Sequence, residues 1–214
     1  MNDKRTIVLS LHYLPSIGWY TNLIKYPTVV LENCEHFVKS GGFNRTHIST
    51  AQGRQLLTIP VAGGRNHRAI VGEMVPDHSK NWLRQHWHAI QTAYGKAPYF
   101  EDYSPWFESI YSRNATTIWQ FNLELHGLIL RLLSIKMDHP LTNEYQKRLP
   151  EDWVDGRDNH SKLYHTINKP YYQSFQERNG FISNCSIIDL LFHLGPESTA
   201  YLKQLTELNA NETF

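Results

Sequence analysis

Residues 6–31 read TIVLSLHYLPSIGWYTNLIKYPTVVL, and their hydrophobic pattern decides the fold class. Thr6 to Leu11 is a β-branched and aliphatic run, apolar on both faces, the pattern of a strand buried in the middle of a sheet. It ends at His12-Tyr-Leu-Pro15. Ile17, Tyr20 and Ile24 then repeat at helical spacing until Tyr26-Pro27, where proline disfavours helix for the residue before it. A second strand, Thr28-Val-Val-Leu31, follows at once. Strand, loop, helix and strand in so short a span make a βαβ unit, which requires a parallel pair and places the His12 loop at a carboxyl strand end. Ligands of open α/β sheets bind at that edge.

Working outward, Asn33 to Gly53 is polar and turn-rich, with Gly41-Gly42 and Gln52-Gly53 as breakers around Phe43 to Ile48, so an elaborated loop or a hairpin is expected there. Arg54–Val61 and Ala69–Val75 read as two strands placed to pair antiparallel across Gly63-Gly64 and the basic stretch Arg65 to Arg68. Trp82, His86, Ile90 and Ala93 share one face of a helix opened by Ser79, and Ser104-Pro105 offers an N-cap and first position for the next. Ile118, Phe121, Leu125, Leu128, Ile129 and Leu132 make a continuous stripe on a helix from about Thr116 to Lys136. Periodicity fades from Met137 to Tyr171, which reads as loop. Ser186 caps a helix that Gly195-Pro196 stops before a last one. The expected architecture is α/β: one domain over residues 1–214, with a small mixed, partly parallel sheet near the N-terminus and a helix-rich middle and C-terminal half.

Composition narrows the function classes. Twenty-one Lys+Arg against twenty Asp+Glu leave no sequence-wide basic field, which argues against nucleic acid as a partner. Cys34 and Cys185 have no CxxC neighbour, so neither a disulfide framework nor a thiolate zinc site is expected. His86 and His88 lie two apart on a predicted helix and face different sides, and no metal site is assigned. No cofactor is specified. No segment approaches ~18 consecutive apolar residues and no signal segment precedes the first strand, so a cytoplasmic chain without a membrane span is expected.

The candidate site residues gather at the inferred carboxyl edge. His12 follows the first strand directly, which suits either proton transfer or a structural role bonding a carbonyl or capping the helix. Glu32, Glu35, Lys39, Asn44 and Arg45 lie just beyond the second strand. An Arg flanked by Asn can clamp a carboxylate or phosphate, Lys supplies a point charge, and Glu accepts protons; equally, such a run can be a solvated loop whose charges pair among themselves. The expected site comprises His12 and Glu32 as catalytic groups, with Tyr13, Tyr20, Lys39, Asn44, Arg45 and Tyr99 binding a small-molecule or anionic substrate. Tyr99, in the turn Tyr94 to Phe100, suits stacking on a sugar or base, or plain core packing. Ser10, Ser16 and Cys34 sit in no recognisable nucleophile elbow.

His12-Tyr-Leu-Pro-Ser-Ile-Gly-Trp-Tyr20, Glu32 with Phe37-Val-Lys39, Asn44-Arg45-Thr-His-Ile48, Leu57-Thr-Ile-Pro-Val61 and Ala97-Pro-Tyr-Phe100 together resemble the WbqC-like protein family. Gly180-Phe-Ile182, Ser186 to Phe192 and Gly195-Pro-Glu197 fit the same pattern. The resemblance implies a role among bacterial O-antigen and other surface-polysaccharide functions, with glycine or aminoacyl transfer suggested for one branch. The expectation is a transferase acting on a sugar- or amino-acid-containing precursor, Asn44 and Arg45 gripping an anionic group and His12 handling a proton. The alternative is a non-catalytic module binding a nucleotide-sugar or other anionic ligand through the same patch.

Overall fold

β1 (Thr6–Ser10) and β2 (Thr28–Glu32) pair in parallel through α1 (Ile17–Lys25), with Ser10 opposite Glu32 in register. The structure, a computed structural model, describes residues 5–38, 41–63, 69–157 and 169–211. β1 has a strand on each side, which is why Ile7, Val8 and Leu9 are fully buried and why its sequence is apolar on both faces. Ser16 accepts a hydrogen bond from the Trp19 amide and so starts α1, while Tyr26 turns back to extended backbone before Pro27.

The third strand, β5 (Trp153–Gly156), lies in the stretch expected to be loop and pairs parallel with the free side of β1. Four residues are too few to carry a period. Their strand character comes from the ladder that β1 offers them. Gly156 makes the approach possible: a Cβ there would lie 2.6 Å from Leu9 Cδ2 and 3.0 Å from Ile7 Cδ1.

The second sheet is the hairpin of β3 (Arg45–Thr50) and β4 (Gly53–Thr58), antiparallel, with Thr46 opposite Leu57. Gly53 takes φ +97° at the turn, where L side chains rarely fit. The extended hairpin of Arg54–Val61 with Ala69–Val75 is not formed, and the two segments meet antiparallel only around Val61 and Pro76, where the Ala62 amide donates to the Val75 carbonyl at 3.0 Å. The short turn at Ala51-Gln52 brings β3 onto β4 first, and Val71–Glu73 forms a 3₁₀ turn instead. That turn docks on the segment after β2, the Val71 amide donating to the Glu35 carbonyl at 3.0 Å and the Phe37 amide to the Ala69 carbonyl at 2.9 Å. Residues 64–68 lie outside the described residues.

The remaining helices are α2 (Trp82–Tyr94), α3 (Phe100–Tyr111), α4 (Ile118–Leu132), α5 (Gln176–Asn179), α6 (Ile187–Leu194) and α7 (Ser198–Asn211). Two starts differ from expectation. α2 begins after Asn81, at φ 46°, because His78 to Lys80 form a separate 3₁₀ turn that Asp77 caps. α3 begins ahead of Ser104-Pro105, since the Tyr99 amide donates to the Phe192 carbonyl at 3.0 Å and Phe100 packs on Phe192, fixing the first turn there. Thr117 and Ser186 cap α4 and α6 with their side chains. Trp19, Trp82, Tyr13, Tyr20, Tyr94, Phe107 and Phe192 fill one continuous core between these helices and the sheets. Among the described residues, no helix is long and apolar enough to cross a membrane.

Candidate functional site

The loop after β1 is held rigidly from three sides. Leu14, at φ 42°, presents a carbonyl that accepts from the Thr46 hydroxyl at 2.8 Å and the Ser186 hydroxyl at 3.0 Å. The Ile187 amide donates to the Pro15 carbonyl at 2.8 Å, and the Tyr13 amide to the Gly42 carbonyl at 3.0 Å. These bonds fix a left-handed residue that would cost about 1–3 kcal/mol if unsupported, and they aim His12 outward from the strand end. The His12 ring lies flat against Gly42, where a Cβ would come within 2.5 Å of Cγ and Nδ1. Only glycine leaves that space.

A cleft of about 320 Å³ opens at the carboxyl edge of the three parallel strands. Ser10 at the end of β1, His12 just beyond it, Glu35 after β2, and Asp155 and Arg157 at the end of β5 all line it. Tyr145 and Lys147 close one side. The parallel topology is what brings the three strand ends together, and the cleft sits where open α/β sheets place their ligands.

Arg157 organises the charges of this cleft. Its Nε and Nη2 bind the two oxygens of Asp155 at 2.9 and 2.6 Å, and its Nη1 binds Glu32 Oε2 at 3.2 Å and the Gln146 carbonyl at 2.8 Å. Tyr145 lies over the guanidinium at 4.8 Å from ring centre to Cζ. Most of the guanidinium donors are thereby committed, and the fork of Arg157 is a scaffold rather than a vacant anion clamp. Hydrogen bonding to Arg157 holds the Asp155 carboxyl below its ordinary range.

Glu35 differs from its neighbours. Burial, together with the negative charges of Glu32 and Asp155, pushes its carboxyl up to about 7, against the opposing pull of the Ser10 hydroxyl and Arg157. His12 goes the other way. Burial brings its imidazole down to about 4, so near neutrality the ring is uncharged. The cleft thus holds a carboxyl poised to exchange a proton near pH 7 beside a neutral imidazole. Among the described residues, no group of three or more His, Cys, Asp and Glu is placed to hold a metal ion.

The residues singled out in the sequence fall into distinct places. His12 lines the cleft, and Glu32 lies behind it, fully buried, accepting from Arg157, from the Thr142 hydroxyl at 2.6 Å and from the Cys34 amide at 2.9 Å. Asn44 and Arg45 are not among the lining residues. Asn44 is buried and donates to the Ile59 carbonyl at 2.8 Å, tying the loop to the end of β4, and Arg45 begins β3 with its Nε buried. Tyr13 sits in the core, its hydroxyl 2.9 Å from His86 Nδ1 and 2.6 Å from the Tyr111 hydroxyl. Tyr20 is likewise buried against His126 at 3.0 Å. Tyr99 stacks on Tyr103 and packs over Gly195 at the end of α6. Lys39 lies outside the described residues. Asp155, Arg157, Tyr145 and Lys147 come from the stretch read as loop, where only the pair Trp153-Val154 before a charged exit hinted at a strand end.

The sequence pattern of the WbqC-like protein family matches residues 11–159, a span that runs from the His12 loop through β5 to just past Arg157. The chain belongs to the WbqC-like protein family. The matched span contains β2 and β5 but none of β1, and of the described residues that line the cleft it leaves out Ser10 alone. Beyond the family, the chain is similar to the uncharacterized protein Rv1507c of Mycobacterium tuberculosis, with 24% identity over 228 residues, 94% of this chain and 98% of that protein. No protein of solved structure matches the chain.

Proposed function

We propose that this member of the WbqC-like family is a cytoplasmic transferase that moves a group from an activated donor onto a hydroxyl or amine of a sugar- or amino-acid-containing precursor. Glu35 takes the proton of the attacking atom while the bond to the donor's leaving group breaks and that group departs with the electron pair. The observation that carries this reading is the convergence of Ser10, His12, Glu35 and the Asp155–Arg157 pair on one cleft at the carboxyl edge of a parallel sheet. A general base works best with a pKa close to the working pH, and Glu35, at about 7, meets that condition where His12, at about 4, does not. His12, held neutral and rigid against Gly42, serves to orient the nucleophile by a hydrogen bond. Glu32 and Asp155 fix Arg157, and their negative charges add to burial in raising the Glu35 pKa against the opposing pull of the Ser10 hydroxyl and Arg157.

The charge balance favours an acceptor that is neutral or cationic. Asp155 and Glu35 line the cleft beside a guanidinium whose donors are largely used, so an added anion would gain little from Arg157 and would meet two carboxyl groups, which Lys147 on the cleft wall offsets in part. The family resemblance supports reading this activity as part of bacterial surface-polysaccharide assembly. The test is turnover with activated aminoacyl and glycosyl donors against amino-sugar and amino-acid acceptors. Product formation that disappears in Glu35→Gln supports the transferase; ligand-induced thermal stabilisation with no product from any donor would point to the binding module instead.

A further inference from the structure

A second cavity, of about 520 Å³, lies on the same sheet face, and the proton chemistry assigned to Glu35 does not use it. Its floor is the sheet itself. Thr28, Val30 and Glu32 of β2 are spaced two apart and share one face, and Trp153 of β5 lies in register with Thr6 of β1. Its roof is the segment from Pro140 to Leu149, stitched to β2 by the Leu31 amide on the Pro140 carbonyl at 2.9 Å and the Thr142 amide on the Leu31 carbonyl at 3.0 Å. Along that roof the lining alternates: Tyr145 and Lys147 face the first cleft, Glu144 and Gln146 the second cavity. The Glu32–Arg157 pair and the Gln146 carbonyl form the partition between them.

The lining defines the occupant. Trp153 supplies an aromatic wall, and Thr6, Thr28, Asn143 and Gln146 place neutral donors and acceptors around it. That combination suits a flat-faced ring with hydroxyls on its rim, because C–H groups pack on the indole while the hydroxyls replace water at the side chains. Glu32 and Glu144 line the cavity, and no Lys, Arg or His is among the described residues that form it. A phosphate or carboxylate on the ligand would therefore find no positive partner and two negative ones. We propose that this cavity binds a pyranose ring, neutral or aminated and without phosphate, stacked on Trp153. Its role as the holder of the acceptor's sugar portion rests on the transferase reading of the neighbouring cleft; its binding chemistry does not.

The experiment is a titration of the full chain with glucose, glucosamine and N-acetylglucosamine, followed by saturation-transfer NMR and by Trp fluorescence, with cyclohexanol and glucose 6-phosphate as controls. At least one of the three sugars should bind, and both controls should bind at least roughly tenfold more weakly. Trp153→Ala should abolish binding, and so should Asn143→Trp, which fills the cavity from an exposed loop position and decides the matter if the strand variant does not fold. Glu35→Gln should leave sugar binding unchanged, because Glu35 lines only the first cleft. The proposal is overturned if none of the sugars binds, if cyclohexanol or glucose 6-phosphate equals them, if Asn143→Trp binds normally, or if Glu35→Gln removes binding. Turnover that survives Glu35→Gln while sugar binding persists would defeat the acid–base reading alone.

Discussion

Glu32 and Arg157 stand 125 residues apart in the chain and meet at 3.2 Å, the carboxylate with no solvent exposure and the guanidinium with 7%. One ends β2 and the other follows β5, so the pair closes across β1, the strand that separates them. Two charges so deeply buried are tolerable only together.

Arg157→Ala should therefore destabilise the protein by about 3–5 kcal/mol, since it leaves the fully buried Glu32 carboxylate without its charged partner, while the half-exposed Asp155 can turn to water. Equilibrium denaturation in urea checks this. The double variant Glu32→Gln with Arg157→Ala should recover part of the loss, because no buried carboxylate is then left unpaired at the end of β2.

Gly42→Ala should displace the His12 imidazole, whose ring atoms would lie 2.5 Å from the new methyl. The expected cost is roughly 1–3 kcal/mol of stability from overpacking, together with loss of turnover out of proportion to that cost. A stability curve and an activity assay on the same sample separate the two, and normal activity would show that the His12 position is dispensable.

Glu35→Gln should abolish turnover while raising stability above pH 7. The folded carboxyl titrates near 7 against an ordinary value of 4.5, so the unfolded chain ionises first as pH rises. Between about pH 4.5 and 7 the folded state holds the extra proton, and stability falls with rising pH through that window. Gln carries no charge and escapes this, for a gain of about 1–2 kcal/mol at pH 8 after loss of the Ser10 contact. Thermal melts at pH 4 and pH 8 should show the variant gaining on the native chain only at the higher value.

Acid should destabilise the fold through its buried histidines. Burial brings His12 and His86 down to about 4 and His126 down to about 3, from an ordinary 6.5. Below pH 6.5 the unfolded chain takes up these protons and the folded one does not, so stability drops as pH falls from 6.5 toward 4. Three such groups outweigh the opposite trend of Glu35 over the shared range. Replacing His126 by Gln should reduce the slope of stability against pH by about one proton, measured as denaturation free energy across that interval.

The 6–31 stretch determined by itself that two strands run parallel around a helix, that β1 is central, and that His12 emerges at the carboxyl edge of the sheet. Periodicity and proline placement are local signals, and both survive folding unchanged. The cap at Ser186 was equally local, although Ser79 and Ser104 looked as good and lost to turns set by tertiary contacts. Only the tertiary structure decided what faces His12. Asn44 and Arg45 sit close to the His12 loop in the backbone, yet Asn44 donates to the Ile59 carbonyl and Arg45 opens β3 with its Nε buried, and no spacing rule reports side-chain placement in an irregular loop. Tyr13 and Tyr20 look available on a polar loop and are in fact core, because α2, α3 and α4 fold over them. Asp155 and Arg157 entered the cleft because four residues without a period of their own found the open edge of β1, and pairing partners are a property of the folded chain rather than of the segment.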